Sequence, residues 1–184
     1  LPKKYISAAA IGYYGNSDII EFDENSKPAS SGFLPECCQI WENAIQEIQS
    51  IGIQTAWIRI GIVLSTQGGA LQKMLQTAKL GLNTYFGNGK QTSSWIHIDD
   101  LGAAFLFCLE NENCNGAFNF TGPAPVLQKE IISTAVKTFK SKAIIAPIPP
   151  FVLKLALGEM AEMVLNSQRC MPEKLSNQGF RFQF

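Results

Sequence analysis

The apolar positions of this chain change period several times along its length. Tyr5-Ile6-Ser7-Ala8-Ala9 is a short, nearly continuous apolar run, which predicts a buried strand. Gly12, Gly15 and Asn16 then mark a loop that continues through an acidic, Ser/Pro-containing segment to Ser31. From Phe33 to Ser50 the residues Cys37, Trp41, Ala44, Ile45 and Ile48 recur at helical spacing, and Gly52 is placed to stop the helix. Thr55 to Leu64 is β-rich and apolar except for Arg59, as expected of a parallel strand covered on both faces. Leu71, Met74, Leu75 and Ala78 predict a second amphipathic helix ending near Gly81.

The run from Gly87 to Leu101, GNGKQTSSWIHIDDL, follows. It places a glycine turn, a short strand ending in the sole histidine, and a helix start within one segment. In α/β proteins such junctions build ligand sites. Asp99 is the expected N-cap of a helix carrying Leu101, Phe105, Cys108 and Leu109 on one face. Further on, the pattern predicts a strand over Ala117 to Phe120, a helix over Leu127 to Phe139 and a short strand near Ile144. A helix over about Phe151 to Leu165 and a terminal strand over Phe180 to Phe184 complete the chain. Strands alternating with helices of this length imply an α/β architecture with parallel pairing.

Composition narrows the function classes. Fifteen basic and fifteen acidic side chains cancel, so no charge footprint points to nucleic acid or an anionic membrane. A hydrophobic content of 46%, with twelve phenylalanines, argues for a packed core in a chain of 184 residues. No apolar stretch approaches the roughly 20 residues that span a bilayer. The five cysteines are scattered, with no Cys-x-x-Cys pair and one histidine, so no metal site is expected and reduced thiols in a cytoplasmic setting are. A domain rarely begins on an interior strand, so the chain is expected to be the C-terminal part of something larger.

The strand and loop SAAAIGYYG (Ser7 to Gly15), the strand WIRIGIVL (Trp57 to Leu64) and WIHIDDL (Trp95 to Leu101) resemble, in order and spacing, the extended short-chain dehydrogenase/reductase superfamily that contains sugar-nucleotide epimerases. CCQIWE (Cys37 to Glu42), RIGIVLSTQGGALQKML (Arg59 to Leu75) and GEMAEMVLNSQRCMPEKLSNQGFRF (Gly158 to Phe182) are similar to an atypical epimerase-like subfamily ending in a small domain of unknown function. The resemblance implies an α/β fold: the C-terminal portion of a Rossmann-type parallel sheet plus a small α+β substrate domain. Residues 1–66 would belong to the dinucleotide-binding domain and 67–184 to the substrate side, with the family's C-terminal domain at about 137–184 and some elements returning to the Rossmann sheet. It also implies NADP or NAD as cofactor, a small-molecule substrate and a homodimer. The Gly-rich fingerprint that holds the dinucleotide pyrophosphate has no counterpart here, and by family order the chain begins near the fifth strand.

The resemblance also assigns roles to positions. Members use a Tyr-x-x-x-Lys pair on one helix face, in which the lysine lowers the tyrosine pKa for proton exchange during hydride transfer. Counting back from Glu42, those positions hold Leu34 and Cys38, and neither supplies that chemistry. Ser7, Tyr13 and Tyr14 are the remaining candidates for proton chemistry, against a structural role in strand and loop packing. Gly61, Ile62 and Val63 fall by family geometry near the nicotinamide. Epimerases place an arginine and an aspartate where this chain has Ser93 and Ser94, which weakens a nucleotide-sugar substrate. Lys90, Gln91, Ser93, His97 and Arg169 are the expected substrate-cleft residues. An epimerase-like oxidoreductase, a regulatory ligand-binding protein and the inactive product of an interrupted gene are the three functions compatible with this pattern.

Overall fold

The computed structural model describes residues 2–69, 71, 72, 75, 82–138 and 144–184. Most of the helix expected from Leu71 to Ala78 lies outside the described residues. The fold is α/β. Its centre is a three-stranded parallel sheet in the order β1 (Lys4–Ala10), β3 (Gln54–Ile60), β8 (Gly116–Phe120). Helix α1 (Phe33–Ser50) covers one face and α2 (Ile98–Glu110) the other. Alternation along β3 explains both layers. Ala56 and Ile58 meet Ala104, Cys108, Phe118 and Phe120 in the main core, whereas Trp57 packs with Ile45 of α1 and Ala117.

The run from Thr55 to Leu64 is not one strand. It breaks at Gly61, after which β4 (Ile62–Leu64) pairs with β7 (Trp95–His97) rather than with β1 and β8. The backbone here is tightly crossed: the Gly61 N–H donates to the Phe120 carbonyl and the Ile62 N–H to that of Ser94. A Cβ on Gly61 would lie 2.6 Å from the Ser94 carbonyl oxygen, so the strand changes partner at a residue without a side chain.

The remaining elements form smaller pairings. β2 (Glu21–Phe22) pairs with β11 (Arg169–Cys170), β5 (Leu82–Phe86) with β10 (Ile144–Ile148), and β6 (Thr92–Ser93) with β9 (Val126–Leu127). The turn at Gly87 and Gly89, both at positive φ, therefore joins two strands that pair elsewhere and is not a hairpin. Helix α3 (Gln128–Thr138) follows β9. The helix expected over Phe151 to Leu165 is interrupted: α4 (Pro150–Leu157) stops at Gly158, which has φ 57°, and a 3-10 turn leads into α5 (Glu162–Leu165).

Two further expectations are corrected. His97, not Asp99, is the N-cap of α2, its Nδ1 accepting the Asp99 N–H at 3.3 Å. The Phe180–Phe184 segment, which follows α6 (Glu173–Asn177), is no strand. Phe180 and Phe182 pack against the main core, and the N–H groups of Gln183 and Phe184 donate to the buried Asp100 carboxylate at 2.9 and 3.1 Å. The alternating aromatic pattern is real, but a helix-borne carboxylate takes the backbone donors that a ladder would otherwise satisfy. Among the described residues no helix is long and apolar enough to cross a membrane, and no cluster of His, Cys, Asp or Glu could hold a metal ion.

Candidate functional site

Parallel α/β sheets leave a crevice outside the carboxyl ends of their strands. In this chain a cavity of about 380 Å³ lies there. Ala10, the last residue of β1, and Gly12, just beyond it, form one side of it, together with Leu34 and Cys38 of α1. Gly61, Ile62 and Val63, where the chain crosses from β3 to β4, form another. Thr92, Ser93 and Ser94 line it as well, joined by Asn166 and Gln168 from the C-terminal region. No residue lining this cavity carries a full charge, and burial pushes the Cys38 thiol up to about 11, so it is neutral at physiological pH.

A buried polar network lies on the α1 side of the sheet. Arg59 projects from β3 into a bidentate ion pair with Glu42, its Nε 2.7 Å from Oε1 and its Nη2 2.7 Å from Oε2. Both side chains are 3% exposed. Glu42 also accepts from the Trp57 indole N–H at 2.9 Å. Arg59 Nη1 donates to the Tyr14 hydroxyl, which donates onward to Asn119 Oδ1, both at 2.7 Å. Asn119 in turn donates through its backbone N–H to Glu24 and through its amide to the Met171 carbonyl. The Tyr13 ring stacks on the guanidinium, with the Arg59 Cζ 3.6 Å from its centroid. The single charge in an otherwise apolar strand is thus fully paired, which is the condition for its burial.

This network accounts for the two tyrosines. Burial raises the Tyr14 phenol above its ordinary value despite the neighbouring Arg59, and its proton is committed to Asn119. The Tyr13 phenol is raised as well, again through burial first. Neither tyrosine lines the cavity. Ser7 sits within β1 opposite Trp57 in the strand register, and its hydroxyl makes only a 3.4 Å contact with the Ala8 carbonyl. It too lies away from the cavity.

The expected substrate-side residues separate into groups. Ser93 lines the cavity described above. Lys90, Gln91 and Arg169 line a larger adjoining cleft of about 1130 Å³. The two spaces share Phe86, Thr92 and Asn166. Gln91 is buried, and its amide faces the Phe86 and Val164 carbonyls and Gln128 Oε1, so it ties the glycine turn to α3 and α5. Arg169 lies 4.0 Å from Glu21 in an exposed pair. His97 lines neither space; it caps α2 and stacks on Phe184, with ring centroids 3.9 Å apart.

Several site-building residues carry no local sequence signal. Residues 167–170 form a strap between the loop after β1 and the Thr92–Ser94 segment. Ser167 Oγ accepts from the Thr92 N–H, the Gln168 N–H donates to the Thr92 carbonyl, and the Gln168 amide donates to the carbonyls of Ile11 and Gly15. Ser94 Oγ accepts the Cys170 N–H at 2.8 Å. Where epimerases place an aspartate, Ser94 serves as a buried joint between the sheet and the strap. Its position in the Ser93-Ser94 pair was legible; its partner, 76 residues away, was not.

Comparison with known proteins gives this geometry a context. Residues 148–184 match the family model described as a domain of unknown function, DUF1731. The chain is 38% identical over 181 residues to an epimerase family protein of Mycobacterium leprae, covering 98% of the chain and 58% of that relative. It is 36% identical over 183 residues to the epimerase family protein YfhF of Bacillus subtilis, covering 100% of the chain and 60% of YfhF. The chain thus spans about three fifths of the length of the curated relatives it matches. The human epimerase family protein SDR39U1 (isoform 2), solved with NADPH, superimposes with a TM-score of 0.90 at 28% identity, over 100% of this chain and 62% of that one. A Thermus thermophilus UDP-glucose 4-epimerase solved with NAD shares the fold, with a TM-score of 0.76 at 16% identity, over 98% of this chain and 59% of that one. Over its whole length the chain is thus similar to epimerase family proteins, and its residues 148–184 match the DUF1731 model.

Proposed function

We propose that this chain is the nicotinamide-end and substrate-side part of an NADP- or NAD-dependent, epimerase-like oxidoreductase. Residues 1–66 contribute the end of the nucleotide domain and 67–184 the substrate side, apart from α2 and β8, which return to the central sheet. The observation that carries this reading is the uncharged cavity at the carboxyl ends of β1 and β3, floored by Gly61, Ile62 and Val63. An apolar chamber with backbone close at hand suits the flat nicotinamide ring in its neutral, reduced form, and a side chain at Gly61 would crowd the same crossing. The residues present therefore fit that end of the dinucleotide; no Gly-rich turn in this chain would hold its pyrophosphate. When bound, the cofactor gives or takes a hydride. The chain's own residues would orient the ring, exclude water and position the reacting oxygen.

A second reading rests on Leu34 and Cys38, which both line the cavity at the positions of the family's acid–base pair. Neither supplies a tyrosine-type proton relay, so cofactor occupancy without turnover is the alternative. Titration of NADPH, followed by its fluorescence, tests the shared premise. Emission is expected to rise and saturate as the ring leaves water, and Val63→Trp, which fills the chamber, should weaken binding by about tenfold or more. Absence of saturable emission, or full affinity in the Val63→Trp variant, would count against both readings.

A further inference from the structure

The lining of the chamber is part apolar and part polar. On the side of α1 and β1 it offers Ala10, Leu34 and Cys38, none of which can hold a ligand oxygen firmly. Elsewhere in the lining several polar groups are already engaged. Ser94 Oγ bonds the Gln168 carbonyl and the Cys170 N–H, Gln128 Oε1 accepts from the Phe86 N–H and Gln91, and the Gln168 amide nitrogen serves Ile11 and Gly15. The Gln128 amide nitrogen and the Gln168 amide oxygen have no partner among the described residues, and three further side chains make no hydrogen bond at all to them. The hydroxyls of Thr92 and Ser93 and the amide of Asn166 donate no hydrogen bond to any described residue, although Thr92 and Ser93 are only 8% and 6% exposed. Among the described residues, the sole fully enclosed side-chain polar atom without a partner is Asn83 Nδ2, so these hydroxyls are not sealed off in the interior.

Their placement is fixed by the strap. Ser167 Oγ receives the Thr92 N–H at 2.9 Å and the Gln168 N–H reaches the Thr92 carbonyl at 2.9 Å. Ser167 itself donates through its N–H to Asn16 Oδ1 at 2.7 Å. Asn166 is therefore held beside Thr92 by bonds on the residues that follow it, before any ligand arrives. Preorganised, unspent hydrogen-bonding groups at the neck of a largely apolar chamber are the feature that orients a ligand.

We propose that Thr92, Ser93 and Asn166, which line the chamber together, form a clamp for the carbonyl or alcohol oxygen of the ligand. The clamp rests on the reading that Gly61–Val63 receive the nicotinamide. Hydroxyl and amide groups supply both donors and acceptors, so they accommodate the oxidised and the reduced oxygen alike. With no charged residue in the chamber lining, the group held there is uncharged; a carboxylate or phosphate would be buried without a partner. The polar remainder of the ligand extends past Asn166 into the larger cleft, where Lys90, Lys154 and Arg169 face Asp18, Glu159 and Glu162.

Two-dimensional NMR of the ¹⁵N-labelled chain tests this with cyclohexanone as the probe, cyclohexanecarboxylate as its charged counterpart, and reduced nicotinamide mononucleotide in a separate titration. Cyclohexanone should shift the Asn166 side-chain amide pair and the backbone amides of Thr92 and Ser93. Asn166→Ala and Ser93→Ala should each weaken it by about fivefold, the effect of one hydrogen bond, with the rest of the spectrum intact. The carboxylate should not produce these shifts. Cyclohexanone binding that leaves Asn166 and Ser93 unmoved, equal binding of the carboxylate, or no binding of cyclohexanone overturns the clamp. The mononucleotide reports at Gly61, Ile62 and Val63, so a failure of the cofactor reading registers at different residues from a failure of the clamp.

Discussion

Glu42→Ala should be among the most destabilising single substitutions in this chain, costing about 3–5 kcal/mol. The mutation strands the Arg59 guanidinium at 3% exposure and leaves the Trp57 indole N–H without its acceptor. In a chain of this length that corresponds to a fall in Tm of roughly 6–20 °C. The double variant Glu42→Leu with Arg59→Met should recover most of the loss, because it removes both charges together and with them the cost of burying either alone. Thermal and urea unfolding of the single and double variants check this. A loss below about 1 kcal/mol for Glu42→Ala would mean that Arg59 reaches solvent, as exposed pairs do, and that the network does not brace the sheet.

Gly61→Ala carries the second large effect. Its new methyl would lie 2.6 Å from the Ser94 carbonyl oxygen and 2.9 Å from Thr121 Cγ2. The first of these is backbone, already accepting the Ile62 N–H, and cannot step aside without opening the β4–β7 pairing. Overpacking of this kind costs about 1–3 kcal/mol. The same change at Gly102, on an exposed face of α2 with nothing within 4 Å, should instead stabilise by about 0.5–1 kcal/mol through helix propensity. Opposite signs from one chemical substitution, read by urea unfolding, distinguish a strand crossing from generic glycine flexibility. Tolerance of alanine at Gly61 would contradict the close approach that shapes the chamber.

These two sites illustrate what sequence can convey. The helix over Phe33–Ser50 and the strands around Ala8, Ile58 and Phe118 follow from local period, because one buried face dictates the spacing. The resemblance pointed to Gly61–Val63, Leu34 and Cys38, and the structure brings these into one cavity. Arg59 stands out in the sequence as the one charge in an apolar strand, and its partner is Glu42, eight and four residues beyond Leu34 and Cys38. Asn119, Glu24 and Asn166 were not legible, since each matters through a contact or a cavity wall contributed by distant chain. The C-terminal Phe180, Phe182 and Phe184 misled for a related reason. Alternation reports which side chains are buried, but Asp100, far away in sequence, decides where the backbone donors go.

The same distinction applies to function. Tyr13 and Tyr14 are the titratable side chains that a motif search favours, and both are taken up by Arg59. The groups to which the proposal gives the chemistry are quieter: two hydroxyls, an amide and a backbone crossing beside an uncharged chamber. A crystal of the chain soaked with reduced nicotinamide mononucleotide tests the central claim most directly. The account predicts the nicotinamide ring against Gly61, Ile62 and Val63, inside the chamber faced by Leu34 and Cys38. Ring density confined to the cleft of Lys90, Lys154 and Arg169, or no density in the chamber at saturating ligand, would contradict it.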